Sequence, residues 1–478
     1  MHEESSFMTA PAVLEITPAT VGGDRLGARH ESLRRVLSRI QFGRLALTLP
    51  DGRCVEVVGP YSGPSASLHL HRWRPAIRLL LQGDLGLAFS YRDGDWSTPD
   101  LTALLSFGIA NETALGAVAQ TRGPARWISR LLHRANANTR SGSRHNISAH
   151  YDLGNRFYER WLDDSMLYSS AMYDEPREEK NAVADEAGID VAVDVEVGVR
   201  VGVGVGSLEQ AQARRLDRIV ELLDLRAGQR VLEIGCGWGT LAATLAKRCG
   251  VEVVGLTLST EQLRFAQARA EQWGVADQVD LRLQDYRDVE GRFDRIVSIE
   301  MIEAVGEAYW PVYFSTLRDR LKPDGVAVLQ AITIDEQHFE RYRANPDFIQ
   351  RCIFPGGMLP TPERMVEEAR RANLRLSTQA RFGLGYAATL VEWRRRFLAE
   401  WPAIEAQGFD LPFKRLWEYY LCYCEAGFRS GRVDVGLYRI AHAADTSHAA
   451  HAAHTAPAAP AAPAAQKSPA APGPHASW

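Results

Sequence analysis

The stretch "RVLEIGCGWGTLAATLAKRCGVEVVGLTLST", residues 230 to 260, decides the fold. It opens on a short apolar run with a single acid, Glu233, the pattern of a buried strand. Three glycines follow at alternate positions, Gly235, Gly237 and Gly239. Glycines at a strand-to-helix turn let the backbone approach a ligand closely. "TLAATLAKRCG" then reads as a helix closed by Gly250, and "VEVVGLTLS" as the next strand. Such a βαβ unit implies a mostly parallel sheet with its ligand at the carboxyl ends of the strands.

The pattern continues outward. "TEQLRFAQARAEQWG" is a helix ended by Gly274, and "QVDLRLQDY", "FDRIVSIE" and "GVAVLQAITI" are further strands. The ligand of the turn can be narrowed. A dinucleotide fingerprint needs G-x-G-x-x-G and an acid about 20 residues on, and here the glycine spacing differs and the next strand tip carries no acid. No Gly-Lys-Ser/Thr follows, so the turn is not a Walker loop. Glu233 would repel a pyrophosphate and attract a cationic or amine-bearing ligand. The turn, Glu233 to Gly239 with Cys236 and Trp238 inside it, therefore favours S-adenosylmethionine. Thr257 and Gln262 stand ready for ribose or amino-acid groups, Asp285 to accept from an adenine amine, and Tyr286 lies beside it.

Size and composition set outer limits. The 478 residues, 46% of them apolar, allow two or three domains and a large core. A net charge of −4 gives no global basic field for nucleic acid. The six cysteines (Cys54, Cys236, Cys249, Cys352, Cys422, Cys424) form no C-x-x-C pair and no zinc spacing, which suits free thiols in a reducing cytoplasm. No basic-then-apolar leader and no run of 18 apolar residues is found, so a lipid substrate would be reached from the membrane surface.

Five segments are expected. Residues 1–28 form a mobile N-terminus, and 29–120 a small α+β domain, with a hairpin at Pro50-Asp51-Gly52 and a helix end plus another strand in "IRLLLQGDLGLAFSYRDGDWS". Over 121–145, Arg122, Arg126, Arg130 and Arg134 recur every four residues beside Trp127, Ile128, Leu131 and Leu132. That helix is either a solvated linker or a surface element for anionic head groups. Residues 146–441 hold the methyltransferase pattern, interrupted at 176–206 by a low-complexity Val/Gly insertion. Residues 442–478 are an Ala/Pro/His tail expected to be disordered.

From about residue 138 to 440 the chain resembles the cyclopropane-fatty-acyl-phospholipid synthase family of S-adenosylmethionine-dependent methyltransferases. The motifs that carry the resemblance are "NTRSGSRHNISAHYDLGNRFYERWLDDSMLYSSAMY", "VLEIGCGWG", "LTLSTEQ", "LQDYRD", "FDRIVSIEMIEAVG", "FPGGMLP" and "YYLCYCEAGF". The N-terminal unit resembles the small extra domain of the longer bacterial members. The resemblance implies an α/β, Rossmann-like class I fold, an unsaturated phospholipid at the membrane surface as partner, and a peripheral, cytoplasmic protein; a homodimer is left open. It implies transfer of a methyl group to an acyl-chain double bond, forming a cyclopropane. A methylene-branched product and a small-molecule acceptor are the alternatives.

That chemistry makes a carbocation, so it needs an apolar tunnel, aromatic or anionic groups near the cation, a base, and exclusion of water. By the resemblance, Tyr168 and Ser169 lie at the methionyl end of the cofactor. Tyr151, Phe157, Tyr158, Tyr168, Tyr173 and Trp238 supply aromatic surface. The family uses a bound bicarbonate as base, and its ligands align with Ser170, Glu303, Gln330, Ile332 and Tyr386. Ser170 and Gln330 replace a Cys and a His, and Glu300 replaces a Gly. Either bicarbonate still binds, with Ser170 and Gln330 as neutral donors, or a carboxylate, Glu300 or Glu303, replaces it as base. Cys424 matches a cysteine assigned to the family's active site, with a buried inert thiol as the alternative.

Overall fold

The computed structural model describes residues 13–16, 28–119, 138–139, 142, 153–174 and 206–443. The basic stripe over 121–145, the Val/Gly segment, Tyr151 and the tail lie outside the described residues, apart from isolated positions. The described residues up to His442 form one compact unit.

The first sheet has five strands: β1 (Val13–Ile16), β2 (Phe42–Thr48), β3 (Cys54–Val58), β4 (Tyr61–Leu70) and β5 (Trp96–Ser97), in the order β1-β3-β2-β4-β5. β2 and β3 form the expected antiparallel hairpin, with Leu47 opposite Val55. Asp51 closes its turn by accepting from the Arg53 N–H at 3.2 Å. Helices α1 (Ala28–Leu37), α2 (Arg74–Gln82), α3 (Asp84–Arg92), α4 (Leu101–Ala110) and α5 (Glu112–Ala119) accompany this sheet. The expected helix end and further strand are α2 and the short β5, and between them the stretch "DLGLAFSYR" is a second helix, α3. Its buried Gly86, Ala88 and Ser90 alternate as strand residues would. The helix packs closely on α2: a Cβ at Gly86 would stand 2.2 Å from the Arg78 carbonyl oxygen.

The second sheet has seven strands: β6 (Arg230–Ile234), β7 (Glu252–Thr257), β8 (Val279–Leu283), β9 (Phe293–Ile299), β10 (Leu321–Ile334), β11 (Leu374–Arg381) and β12 (Val433–His442). Their order is β11-β12-β10-β9-β6-β7-β8. β10, β9, β6, β7 and β8 pair in parallel, and β12 runs antiparallel to both neighbours. The carboxyl ends of five parallel strands thus meet on one edge, as the βαβ alternation predicts.

Helices α6 (Leu208–Leu223), α7 (Thr240–Cys249) and α8 (Thr260–Gln272) flank the parallel strands. α6 starts on a reciprocal cap between Ser207 and Gln210 and buries Leu208, Ala211, Arg215, Leu216 and Ile219 on one face. Helices α9 (Glu336–Ala344), α10 (Gly383–Ala399) and α11 (Leu411–Arg429) complete the wall on the N-terminal side.

The two faces of the second sheet have their own core clusters, and a third joins the N-terminal part to the C-terminal helices. Leu104, Phe107 and Trp96 from the N-terminal part share a cluster with Trp161, Trp393, Trp417 and Tyr419. A polar contact crosses the same seam, onto an ion-pair network of α10 and α11. Thr102 donates to the buried Glu425 at 2.8 Å, and Glu425 also meets Arg394 at 3.3 Å and Arg429 at 2.8 Å. All six cysteines are free thiols. Among the described residues no helix is long and apolar enough to cross a membrane.

Candidate active site

The glycine turn follows β6 as the sequence suggests. Gly235, Gly237 and Gly239 adopt φ of +84°, +51° and +80°, values that ordinary side chains avoid. At Gly239 space is short as well: a Cβ would stand 2.6 Å from that of Ala266 on α8. The turn therefore brings backbone N–H groups and the start of α7 together at the strand edge. Thr257 at the end of β7 donates to Gln262 at 3.0 Å, which presents both beside the turn. Trp238 donates its indole N–H to Asn155 at 2.8 Å and lays its ring 5.1 Å from Tyr158. Cys236 is buried, and burial pushes its thiol far above the ordinary range, so it stays protonated.

Two cavities open on this edge. The smaller, about 90 Å³, is lined by Ser169, Arg215, Glu233 and the glycine turn. Glu233 is buried, with one carboxylate oxygen lacking a hydrogen-bond partner, and burial pushes its pKa up to about 8. Opposite in charge is Arg215 on α6, wholly buried. One of its terminal nitrogens donates to Ser169 Oγ at 2.7 Å and to Gln330 Oε1 at 3.3 Å. Its Nε and other terminal nitrogen have no partner. Burial lowers its pKa to about 10, opposed by Glu300. An orphan carboxylate oxygen and two orphan guanidinium nitrogens lining one small cavity fit an α-amino acid, with its ammonium and its carboxylate.

The larger cavity, about 580 Å³, is mostly apolar and runs from the glycine turn toward the N-terminal helices. Glu300, at the tip of β9, stands with a φ of +49°, a conformation a glycine would adopt freely. Its Oε1 accepts from the Ser170 backbone N–H at 2.8 Å and from Gln330 Nε2 at 2.6 Å. Its Oε2 accepts from the Tyr386 hydroxyl at 2.8 Å. The residue faces the cavity rather than bulk water, and that enclosure raises its pKa while these donors and Arg215 oppose the rise. Glu303, one turn on, accepts from the Ile332 N–H. Burial and then the charge of Glu300 push Glu303 up to about 8. At neutral pH Glu303 is therefore mostly protonated, and Glu300, with three donors, is the better candidate for the charged member.

Aromatic rings surround the junction of the two cavities. Tyr168 packs against Tyr158, Trp161 and Trp393 at 5.4, 5.6 and 5.2 Å, and its hydroxyl lies 2.8 Å from that of Tyr420. Tyr386 stacks on Phe428 at 4.5 Å. Such π faces attract a cation.

The sequence profile described as mycolic acid cyclopropane synthetase matches residues 138–437. The chain belongs to that family. A tuberculostearic acid methyltransferase of Mycobacterium tuberculosis is 34% identical over 89% of this chain and 93% of its own. A cyclopropane-fatty-acyl-phospholipid synthase of Escherichia coli is 35% identical over 76% of this chain and 84% of its own. The crystal structure of a mycolic acid cyclopropane synthase complexed with SAH and CTAB superposes with a TM-score of 0.52 at 27% identity, covering 62% of this chain and 97% of that one. The protein is thus a class I S-adenosylmethionine-dependent methyltransferase, with S-adenosylmethionine as its co-substrate. Its activity, stated coarsely, is methylation of lipid acyl chains.

As a mycolic acid cyclopropane synthetase homologue, the chain brings most of its sequence-derived site residues to one place. Glu233, Gly235, Gly237, Thr257 and Gln262 line the cavities, as do Tyr168, Tyr286, Glu300, Glu303, Ile332, Tyr386 and Cys424. Two residues, Ser170 and Asp285, take different postures from those expected, and Cys424 takes the second of its two expected roles. Ser170 turns its hydroxyl to the Ala171 carbonyl at 3.1 Å and contributes its backbone N–H instead. Asp285 is held by Arg287 through Nε at 2.8 Å and a terminal nitrogen at 2.6 Å, so an adenine amine would share an acid already paired. Cys424 lies on the cavity wall, and burial raises its thiol pKa, which makes it a packing thiol rather than a thiolate. Arg215 escaped the sequence reading. Its signal was a cation at an apolar position of an amphipathic helix, seven residues after Leu208.

Proposed function

We propose that the protein transfers the methyl group of S-adenosylmethionine to the double bond of an unsaturated phospholipid acyl chain, with the carboxylate of Glu300 as its internal base. One observation carries this reading. The Ser170 N–H, Gln330 Nε2 and Tyr386 hydroxyl converge on Glu300. These are positions that the family resemblance gives to bicarbonate, so a tethered carboxylate fills the seat of a diffusible one.

The steps follow from the charges. The sulfonium is oriented through its amino-acid end, the ammonium by Glu233 and the carboxylate by Arg215 and the Ser169 hydroxyl. The alkene π pair attacks the methyl carbon, and the carbon–sulfur electron pair stays on sulfur. A cation is left on the neighbouring acyl carbon, where Tyr168, Tyr386 and the charge of Glu300 stabilise it. Glu300 removes a proton from the transferred methyl group. If the ring closes as the proton leaves, a cyclopropane results. If a hydride first shifts to the cationic carbon, the same proton loss leaves a methylene branch. The ring is the leading reading, and the internal carboxylate, which the ring-forming alignment lacks at this position, favours keeping the branch as the second.

A protein with this substrate works on a membrane surface, and we assign it a peripheral place on the cytoplasmic face. Incubation of the full-length protein with S-adenosylmethionine and vesicles of unsaturated phospholipid should yield acyl chains heavier by one CH₂. Vinyl-proton NMR of the product separates ring from methylene. Absence of any mass gain with every unsaturated lipid tried would sink the proposal.

A further inference from the structure

The large cavity has a second, polar end that the methyl transfer does not use. Helix α9 turns His338, Arg341, Tyr342 and Asn345 onto it, a spacing that keeps them on one helical face. Arg432, just before β12, meets them there. Both arginines share one acid, Glu112 at the start of α5. Its Oε1 lies 2.6 Å from Arg341, and its Oε2 contacts Arg432. Two guanidinium groups on one carboxylate leave a positive charge uncompensated. The Nε of Arg432 is buried with no hydrogen-bond partner, although the side chains of Arg341 and Arg432 are 37% and 23% exposed. The cluster therefore sits where the cavity meets solvent. The surroundings agree in sign. Burial, and next Arg432, lower the pKa of His338. The other two acids on this end, Asp84 and Asp347, are pushed toward protonation by burial, Asp84 to about 7.

We propose that Arg341 and Arg432 are the seat for the phosphodiester of the lipid whose acyl chain reaches Glu300, and that Glu112 is the internal anion which that phosphate displaces. The inference rests on the lipid substrate argued above. Guanidinium forks match phosphate oxygens in geometry as well as charge. The two ends belong to one cavity, since Arg341, Arg432 and Glu300 all line it.

The experiment compares substrates with one acyl chain and different head groups: dioleoyl phosphatidylglycerol and dioleoylglycerol, each in neutral detergent micelles. In Arg341→Gln/Arg432→Gln, KM for the phospholipid should rise roughly ten- to a hundredfold, the scale of lost hydrogen bonds to a charged group. Rates on dioleoylglycerol and the affinity for S-adenosylmethionine should change less than about twofold. Glu112→Gln, a milder change, should lower KM for the phospholipid alone. Equal losses on both substrates would mean a merely structural cluster and overturn the seat, as would an unchanged phospholipid KM. Inorganic phosphate that competes as well as the phospholipid would assign the seat to the free anion instead. Micelle binding is measured alongside turnover. A wild-type protein that prefers phospholipid micelles but methylates neither substrate refutes the proposed reaction and leaves the seat standing. Methylation of both without preference does the opposite.

Discussion

Replacing Glu300 by Gly tests the internal base most directly. Two effects of opposite sign are expected on stability. The backbone at φ +49° relaxes, since a non-glycine residue in the left-handed region costs about 1 kcal/mol. Three donors, the Ser170 N–H, Gln330 Nε2 and the Tyr386 hydroxyl, lose their acceptor. Each such loss costs ~1–3 kcal/mol where water cannot replace it. Here the side chain leaves a pocket open to the cavity, so water takes up most of that cost, and the melting temperature should move by only a few degrees, ~1 kcal/mol in either direction. Catalysis should respond far more, since loss of a general base typically costs ~10²–10⁴ in rate. The same three donors then face an empty anion seat, so added bicarbonate or formate should restore turnover in a saturable way and raise the melting temperature by binding the folded state. The assay is mass spectrometry of extracted acyl chains, in bicarbonate-depleted buffer and with bicarbonate titrated back. Wild type should be indifferent to the titration. A glycine variant that keeps full activity in depleted buffer, or a wild type that needs bicarbonate, refutes the reasoning.

Further outcomes are expected. Arg215→Gln should weaken S-adenosylmethionine binding by roughly ten- to a hundredfold in calorimetry and leave methylthioadenosine, which lacks the amino-acid end, unaffected. Glu303 binds a proton in the folded state up to about pH 8, well above its unfolded value of 4.5. The stabilisation from that proton is full below the unfolded pKa and is lost as pH rises toward 8, a drop of up to a few kcal/mol. Denaturant titrations of Glu303→Gln should lose this part of the pH dependence. Turnover per bound substrate should rise with pH along an acid limb lying above the usual carboxylate range, because burial raises Glu300, and Glu303→Gln should keep that limb. Gly239→Ala drives a Cβ into Ala266 at a φ of +80° and should cost ~1–3 kcal/mol of stability together with cofactor affinity.

Much of this architecture was readable in advance because it is written in local pattern. The β6 run, the alternating glycines and the Gly250 stop fall where the chain needs a strand, a left-handed turn and a helix end. Glu300, Glu303, Gln330 and Ile332 were named through the family resemblance, motif by motif, before their mutual contacts were known. What escaped depends on contacts distant in sequence. Arg215 meets Ser169 and Gln330, 46 and 115 positions away, and no local rule marks a buried cation as a ligand for something else. Asp285 looked available because the arginine that holds it, two residues on, was read as part of the same motif. Ser170 was chosen for its hydroxyl, whereas its useful group is one that every residue other than proline carries.

The seam fastened by Thr102, Glu425, Arg394 and Arg429 bears on how a greasy substrate gets in and out. Parting the two halves like a jaw would take the Thr102 hydroxyl from a carboxylate in a dry interior, at a cost of ~1–3 kcal/mol each time. With the seam closed, the route in is threading, a tail drawn end-first along the mostly apolar cavity. Longer or stiffer tails should then slow release of the finished lipid more than they slow its chemistry.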